Sequence, residues 1–264
     1  MAINLSKHNK NERGFTLVEL SIVLVIIGIL ISALIPLFKT YTEQSHKKTQ
    51  EARMGTVRTA LADFIIADPK RAVNEKRFPC PASRTAPIGS ADYGVEQCIT
   101  GGAGTCSNGV CIASGTGGKL VLIGAVPTRT LSIGGINMND AFNNRYTYAV
   151  SMDLVQPNAM DSLTTEGAIT MLDDSGVDIT TVAQFALVSH GRDGAGSYTA
   201  AGVRNGASCR STNRGDAENC NDDGVFRDNL NVALNERVGT SLALNDDYYD
   251  DSAAFTLTND DDDE

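Results

Sequence analysis

Residues 13–38 read RGFTLVELSIVLVIIGILISALIPLF, and the fold is argued outward from this run. Between residues 20 and 35, LSIVLVIIGILISALI, there is no charge. Taken over residues 15–38 the run is long enough to cross a bilayer, which needs about 20 apolar residues. A secretory signal peptide would show a shorter apolar core and a small-residue cleavage site at its far end. This run is too long for that and carries a carboxylate, Glu19, close to its beginning. An ionisable side chain inside a membrane segment is costly and points to function. The plainer alternative is a Glu19 that sits at the interface and snorkels.

Charge is distributed unevenly around the run. Residues 1–14 hold Lys7, Lys10 and Arg13 against Glu12, and because the whole chain carries −10 the remainder carries −12. Basic residues before the span and acidic ones after it place the N-terminus in the cytoplasm and the remainder across the membrane. So acidic a surface repels phosphate backbones, so no nucleic-acid partner is expected. With 42% hydrophobic and 20% charged residues the chain is not disordered.

Beyond the span the helical pattern continues. Pro36 removes a helix hydrogen bond near residue 32 and predicts a kink or local melting there. Residues 42–53, TEQSHKKTQEAR, are polar and rich in helix formers, with His46 expected on a solvated surface. Val57, Ala60, Leu61, Phe64 and Ile65 then recur at spacings of three and four, one apolar stripe. Asp68-Pro69 supplies the stop. A helix over residues 15–67 would be roughly 80 Å long, with residues 39–68 its amphipathic continuation.

From residue 69 to 264 the texture is short β-rich runs between Gly, Asn and Asp. Residues 119–124 (KLVLIG), 145–150 (RYTYAV), 168–172, 184–189 (QFALVS) and 254–257 read as strands. They predict a single antiparallel sheet packed on the second half of the helix, an α+β head. Residues 69–118 read as one long connection holding Cys80, Cys98, Cys106 and Cys111. An even cysteine count in polar loops indicates disulfide-bonded loops made in an oxidising compartment. Cys106 and Cys111 enclose only SNGV and could close a tight turn, leaving Cys80 with Cys98, but four cysteines allow three pairings and the sequence does not choose. Cys209 and Cys220 bracket a polar loop and could pair on their own. Zinc is disfavoured, since no CxxC pair exists and no His lies near a cysteine.

Chemistry beyond this is sparse. Ser189-His190-Gly191 with Asp193 invites a hydrolase reading, but successive strand residues face opposite ways and no GxSxG elbow is present. No catalytic residue and no cofactor is therefore assigned, and the chain is not expected to be an enzyme. Asp246, Asp247, Asp250, Asp251, residues 260–264 and Asn221-Asp222-Asp223 could attract Ca²⁺, yet no EF-hand spacing exists. A solvated acidic tail is the simpler account.

Arg13-Gly14-Phe15-Thr16-Leu17-Val18-Glu19-Leu20 resembles the cleavage and methylation site of type IV prepilins and type II secretion pseudopilins. Gly28 and Pro36 fall at positions that family often uses. The runs FPCPAS (78–83), GAVPTRTL (124–131), DAFNNRYTYAV (140–150) and FALVSHGRDGAGSY (185–198) look like segments of bacterial pilin-like heads. The resemblance implies that residues 1–14 are a leader removed by a prepilin peptidase at the Gly14–Phe15 bond, and that the Phe15 amine is methylated. It implies that Glu19 pairs with a neighbouring subunit's Phe15 amine, with Gly28 and Pro36 also serving assembly. The partners would be other pilin or pseudopilin subunits and an inner-membrane assembly platform. The chain would be single-pass in the inner membrane with a periplasmic head, passing to a filament or the cell surface on assembly. The large head suits a minor subunit; the alternative is a binding module that recognises an adhesion target or exoprotein through residues 73–118 or 205–222.

Overall fold

The computed structural model describes residues 16–66, 76–161, 166–173, 175–192, 194–206, 218–227 and 252–255, with the backbone alone for residues 33, 34, 36, 37, 66, 161 and 252–255. The chain divides into two compact units, residues 1–45 and 46–264. One helix, α1 (Leu17–Ile66), spans 50 residues and contributes to both. It runs unbroken through residue 36, so the local melting expected at Pro36 does not occur. Within the first unit the described side chains of α1 are exposed, among them Leu17, Leu20, Leu24, Ile29 and Phe38. The serine hydroxyls of its apolar run are satisfied within the helix: Ser21 donates to the Val18 carbonyl and Ser32 to the Ile29 carbonyl, each at 2.8 Å. Among the described residues no helix is long and apolar enough to cross a membrane. Side chains of α1 are described without a break only from Leu17 to Ser32, and the longer run read from the sequence includes residues 33, 34, 36 and 37.

In the second unit α1 turns amphipathic, as the stripe predicts. Met54, Val57, Ala60, Leu61 and Phe64 are buried and form one wall of the main core. The opposite wall is a six-stranded sheet in the order β1 (Cys106–Ser107), β2 (Val110–Ser114), β3 (Leu120–Ala125), β4 (Thr147–Ser151), β7 (Phe185–Ser189), β9 (Ser252–Phe255), with every neighbouring pair antiparallel. Strand alternation sends Ile112, Leu122, Tyr148, Val150, Phe185 and Leu187 toward the helix. The other face, with Ala113, Val121, Ile123, Ala149, Ala186 and Val188, is also buried. It packs on a second sheet in the order β6 (Asp178–Ala183), β5 (Ile169–Leu172), β8 (Val225–Arg227), which contributes Ile169, Met171, Ala183 and Phe226. The head is thus three layers, helix, sheet and sheet.

The single sheet read from the sequence is corrected on two counts. There are two sheets, and β5 pairs with β8 in parallel, so the architecture is not a pure antiparallel meander. The cause is burial of the middle sheet on both faces, which gives continuous apolar strands with no polar face to reveal a second layer. The long connection over residues 69–118 also contains β1 and β2, a hairpin turned by Asn108-Gly109 with both residues at positive φ (49° and 75°), the two-residue hairpin turn that Asn-Gly favours. His46 is likewise corrected: it is half-buried and stacks on Phe142 with ring centroids 4.8 Å apart.

Candidate functional site

The start of α1 is built by a reciprocal cap. The Glu19 carboxylate accepts from the Thr16 backbone N–H and from the Thr16 hydroxyl, each at 2.9 Å, while the Glu19 N–H donates to the Thr16 hydroxyl at 3.2 Å. Leu20 N–H donates to the Thr16 carbonyl, closing the first turn. This is a Thr-x-x-Glu capping box, which satisfies helix N–H groups that have no partner within the helix. The sequence reading weighed Glu19 as a membrane or interfacial carboxylate and as partner of an amine; the signal for the cap was Thr16 three residues earlier, just before an apolar run. Gly14 and Phe15 lie outside the described residues. A Cβ added at Gly28 would meet nothing within 4 Å, and Pro36 is described by its backbone only.

The remaining candidates lie in the head. Cys80 is bonded to Cys98 and Cys106 to Cys111, so two of the four loop cysteines close the hairpin. Cys220 is disulfide-bonded and buried; Cys209 lies outside the described residues. Glu96 anchors the first bridge, accepting two bonds from Arg77 at 2.9 and 3.0 Å and one from Cys80 N–H at 2.9 Å. Arg84 anchors the second. Its buried guanidinium donates to the Gly109 carbonyl at 2.9 Å and to Cys111 Sγ at 3.3 Å, and pairs with Asp222. Arg145, also buried, donates to the carbonyls of Ser83, Arg84, Ala86 and Ala200. These two arginines tie together residues 83–86, Gly109, Cys111, Tyr198, Ala200 and Asp222.

Ser189 and His190 are not brought together as a catalytic pair. The Ser189 hydroxyl donates to the Asp140 carboxylate at 3.0 Å, whereas His190 Nε2 meets the Thr147 hydroxyl at 2.8 Å and Nδ1 faces the Ala195 carbonyl at 3.2 Å. Asp193 lies outside the described residues. Burial pushes the Asp140 carboxyl up to about 6, against the bonds it accepts from the Asn144 and Phe142 N–H groups. Burial likewise pushes the His190 imidazole down to about 4, so it is neutral at physiological pH. Both groups serve the fold: Asp140 shapes the turn at residues 140–144, whose carbonyls at 139 and 140 accept from Arg53 of α1 at 3.1 and 2.6 Å. Of the acidic candidates, Asp223 accepts from the Val225 N–H and the Asn221 amide, and Asp222 pairs with Arg84 and Arg204. The protein's own donors already engage these carboxylates. Asp246, Asp247, Asp250, Asp251 and residues 260–264 lie outside the described residues.

A capped, apolar helix start is followed by a disulfide-bonded α+β head, and in its N-terminal segment the chain is similar to type IV pilins. Residues 9–35 match the prokaryotic N-terminal methylation motif. Over 50 residues the chain is 46% identical to the type IV narrow pilus major component PilA5 of Thermus thermophilus. That likeness covers 19% of this chain and 43% of the relative, less than half of its length. No solved structure matches.

Proposed function

We propose that this chain is a structural subunit of a type IV pilus or a type II secretion pseudopilus, cut by prepilin peptidase between Gly14 and Phe15 and polymerised through α1. The observation that carries the reading is the N-terminal methylation motif over residues 9–35, which runs into α1 and its exposed apolar side chains. Residues 15–38 anchor the subunit in the inner membrane before assembly, with the head in the periplasm. In that setting the satisfied hydroxyls of Ser21 and Ser32 add no unpaired polar group to the hydrocarbon. Gly28 supports assembly for a separate reason. A mid-helix glycine costs about 1 kcal/mol relative to alanine, and nothing in the described structure crowds its position; close approach of a second subunit's helix would need the missing Cβ.

The test is sedimentation of sheared filaments from cells that express Glu19→Val. If Glu19 pairs with a neighbour's Phe15 amine, the variant inserts and is cleaved but leaves the filament fraction for the membrane pool. Filament incorporation at the wild-type level would sink the pairing. A second reading, a minor subunit that binds a target through its loops, is favoured by the way Arg84 and Arg145 tie residues 83–86 to Gly109, Ala200 and Asp222. Substitutions there that abolish adhesion or secretion while filaments still form would support it, and unchanged adhesion and secretion would count against it.

A further inference from the structure

The two described bridges sit in opposite electrostatic surroundings. The Cys80 and Cys98 sulfurs lie within 4.8 Å of a Glu96 carboxylate oxygen, and Cys80 is fully buried. Beside the other bridge stands a cation: Arg84 donates to Cys111 Sγ at 3.3 Å. Glu96 is offset by Arg77 and Arg84 by Asp222, and Arg84 directs an N–H at a sulfur. The two sulfurs of that bridge also differ in access. Cys106 is exposed within the exposed run 101–108, whereas Cys111 is buried at 7% exposure. Thiolate attack on a disulfide is fastest at the accessible sulfur and with the leaving sulfur that best holds negative charge, and a neighbouring guanidinium favours the thiolate.

We propose that the Cys106–Cys111 bridge is a thiol–disulfide exchange site, attacked at Cys106 Sγ by an external thiolate, with Cys111 as the leaving sulfur held by Arg84. In the first step a bond forms between the incoming sulfur and Cys106 Sγ, and the Cys106–Cys111 bond breaks with its electron pair on Cys111. A second external thiolate then attacks the incoming group's own sulfur in the mixed disulfide. This releases the Cys106 thiolate and completes a two-electron reduction, with the external thiols oxidised to their disulfide. The hairpin outlives the opened bridge. Cys106 and Cys111 are register partners in β1 and β2, β2 stays paired with β3 from Cys111 to Ser114, and Arg84 still holds the Gly109 carbonyl. The thiols therefore remain opposed and the bridge can re-form. The site rests on the head's own geometry and is independent of the assembly reading.

The experiment treats the oxidised full chain in detergent with reduced glutathione, quenches with acid, and maps the adducts by peptide mass. Glutathione is expected on Cys106, with the Cys106–Cys111 bridge opening about tenfold or more faster than Cys80–Cys98. Glutathione on Cys111, equal rates for the two bridges, or earlier opening of Cys80–Cys98 would each overturn the proposal. Arg84→Gln, with an unchanged melting temperature, is expected to slow opening several-fold, and Arg84→Lys to restore most of the rate. A Gln variant that melts normally and opens at the wild-type rate removes Arg84 from the step and overturns its part. Should the Gln variant melt lower, the position of the adduct on the wild-type chain decides alone.

Discussion

The cap that Glu19 forms and the pairing proposed for it point at different experiments. As the third residue of the Thr16 capping box it needs only an acceptor, which Gln also supplies. As the partner of a neighbouring amine it needs its charge. Glu19→Gln is therefore expected to start the helix as wild type does and yet to assemble as poorly as Glu19→Val, read as the ratio of filament to membrane-pool subunit. Assembly of the Gln variant at the wild-type level would mean that the cap alone explains the residue. Inside the head, Asp140 and His190 form an opposed pair in pH. Asp140 is raised from 3.8 to about 6, so its contribution is present below 3.8 and lost as pH rises through 6. His190 is lowered from 6.5 to about 4, so its contribution is present above 6.5 and lost as pH falls through 4. Between pH 4 and 6 the two slopes offset. Asp140→Asn keeps an oxygen for the Phe142 and Asn144 N–H groups, and should make urea midpoints fall more steeply from pH 6 to 4. His190→Gln should make them rise over the same interval. Parallel midpoint curves for wild type and both variants would refute the opposition.

At the scale of elements, α1 and the middle sheet divide what was legible in the sequence from what was not. The apolar stripe at residues 57, 60, 61, 64 and 65 identified the packing face of the helix, because a helix buried on one side keeps a 3.6-residue period. Strands β3, β4, β5 and β7 were found within a residue or two of their ends, while β1, β2, β6 and β8 were not. In β6 the sequence DITTVA passes from exposed to half-buried without alternating, and β8 is three residues long; neither offers a pattern. The Asn108-Gly109 turn was a local signal for the first hairpin, hidden within a stretch read for its cysteines. For the candidate site, the cleavage motif and Glu19 were visible as a string of residues. Thr16, Arg84 and Arg53 were not, since their roles come from hydrogen bonds whose partners only the fold brings close. Arg53 gives the element-scale prediction. Its two bonds to the carbonyls of Asn139 and Asp140 join α1 to the turn at residues 140–144, and Arg53→Ala should lower unfolding free energy by about 1–3 kcal/mol, measured by urea denaturation. Leu61→Ala, which opens the core between helix and sheet, should cost more, about 2–5 kcal/mol.

For the whole molecule, maturation is the decisive measurement. Intact mass of membrane-extracted protein from cells with active prepilin peptidase should show loss of residues 1–14 and gain of one methyl group. Gly14 replaced by a bulky residue should leave full-length precursor. An unprocessed wild-type chain in such cells would remove the basis for assembly. One feature of α1 also bears on what happens when a filament is damaged. The wall of the head core comes from Met54 to Phe64, whereas the described residues 38–45 of the same helix are exposed. A protease that nicks α1 between residues 39 and 45 would shed a head with its core whole and its described bridges intact. A nick beyond Met54 would carry off part of that wall and release nothing able to hold its shape. Shedding of intact heads into the surroundings is thus possible from the stretch of helix before Met54 and not from within the wall itself.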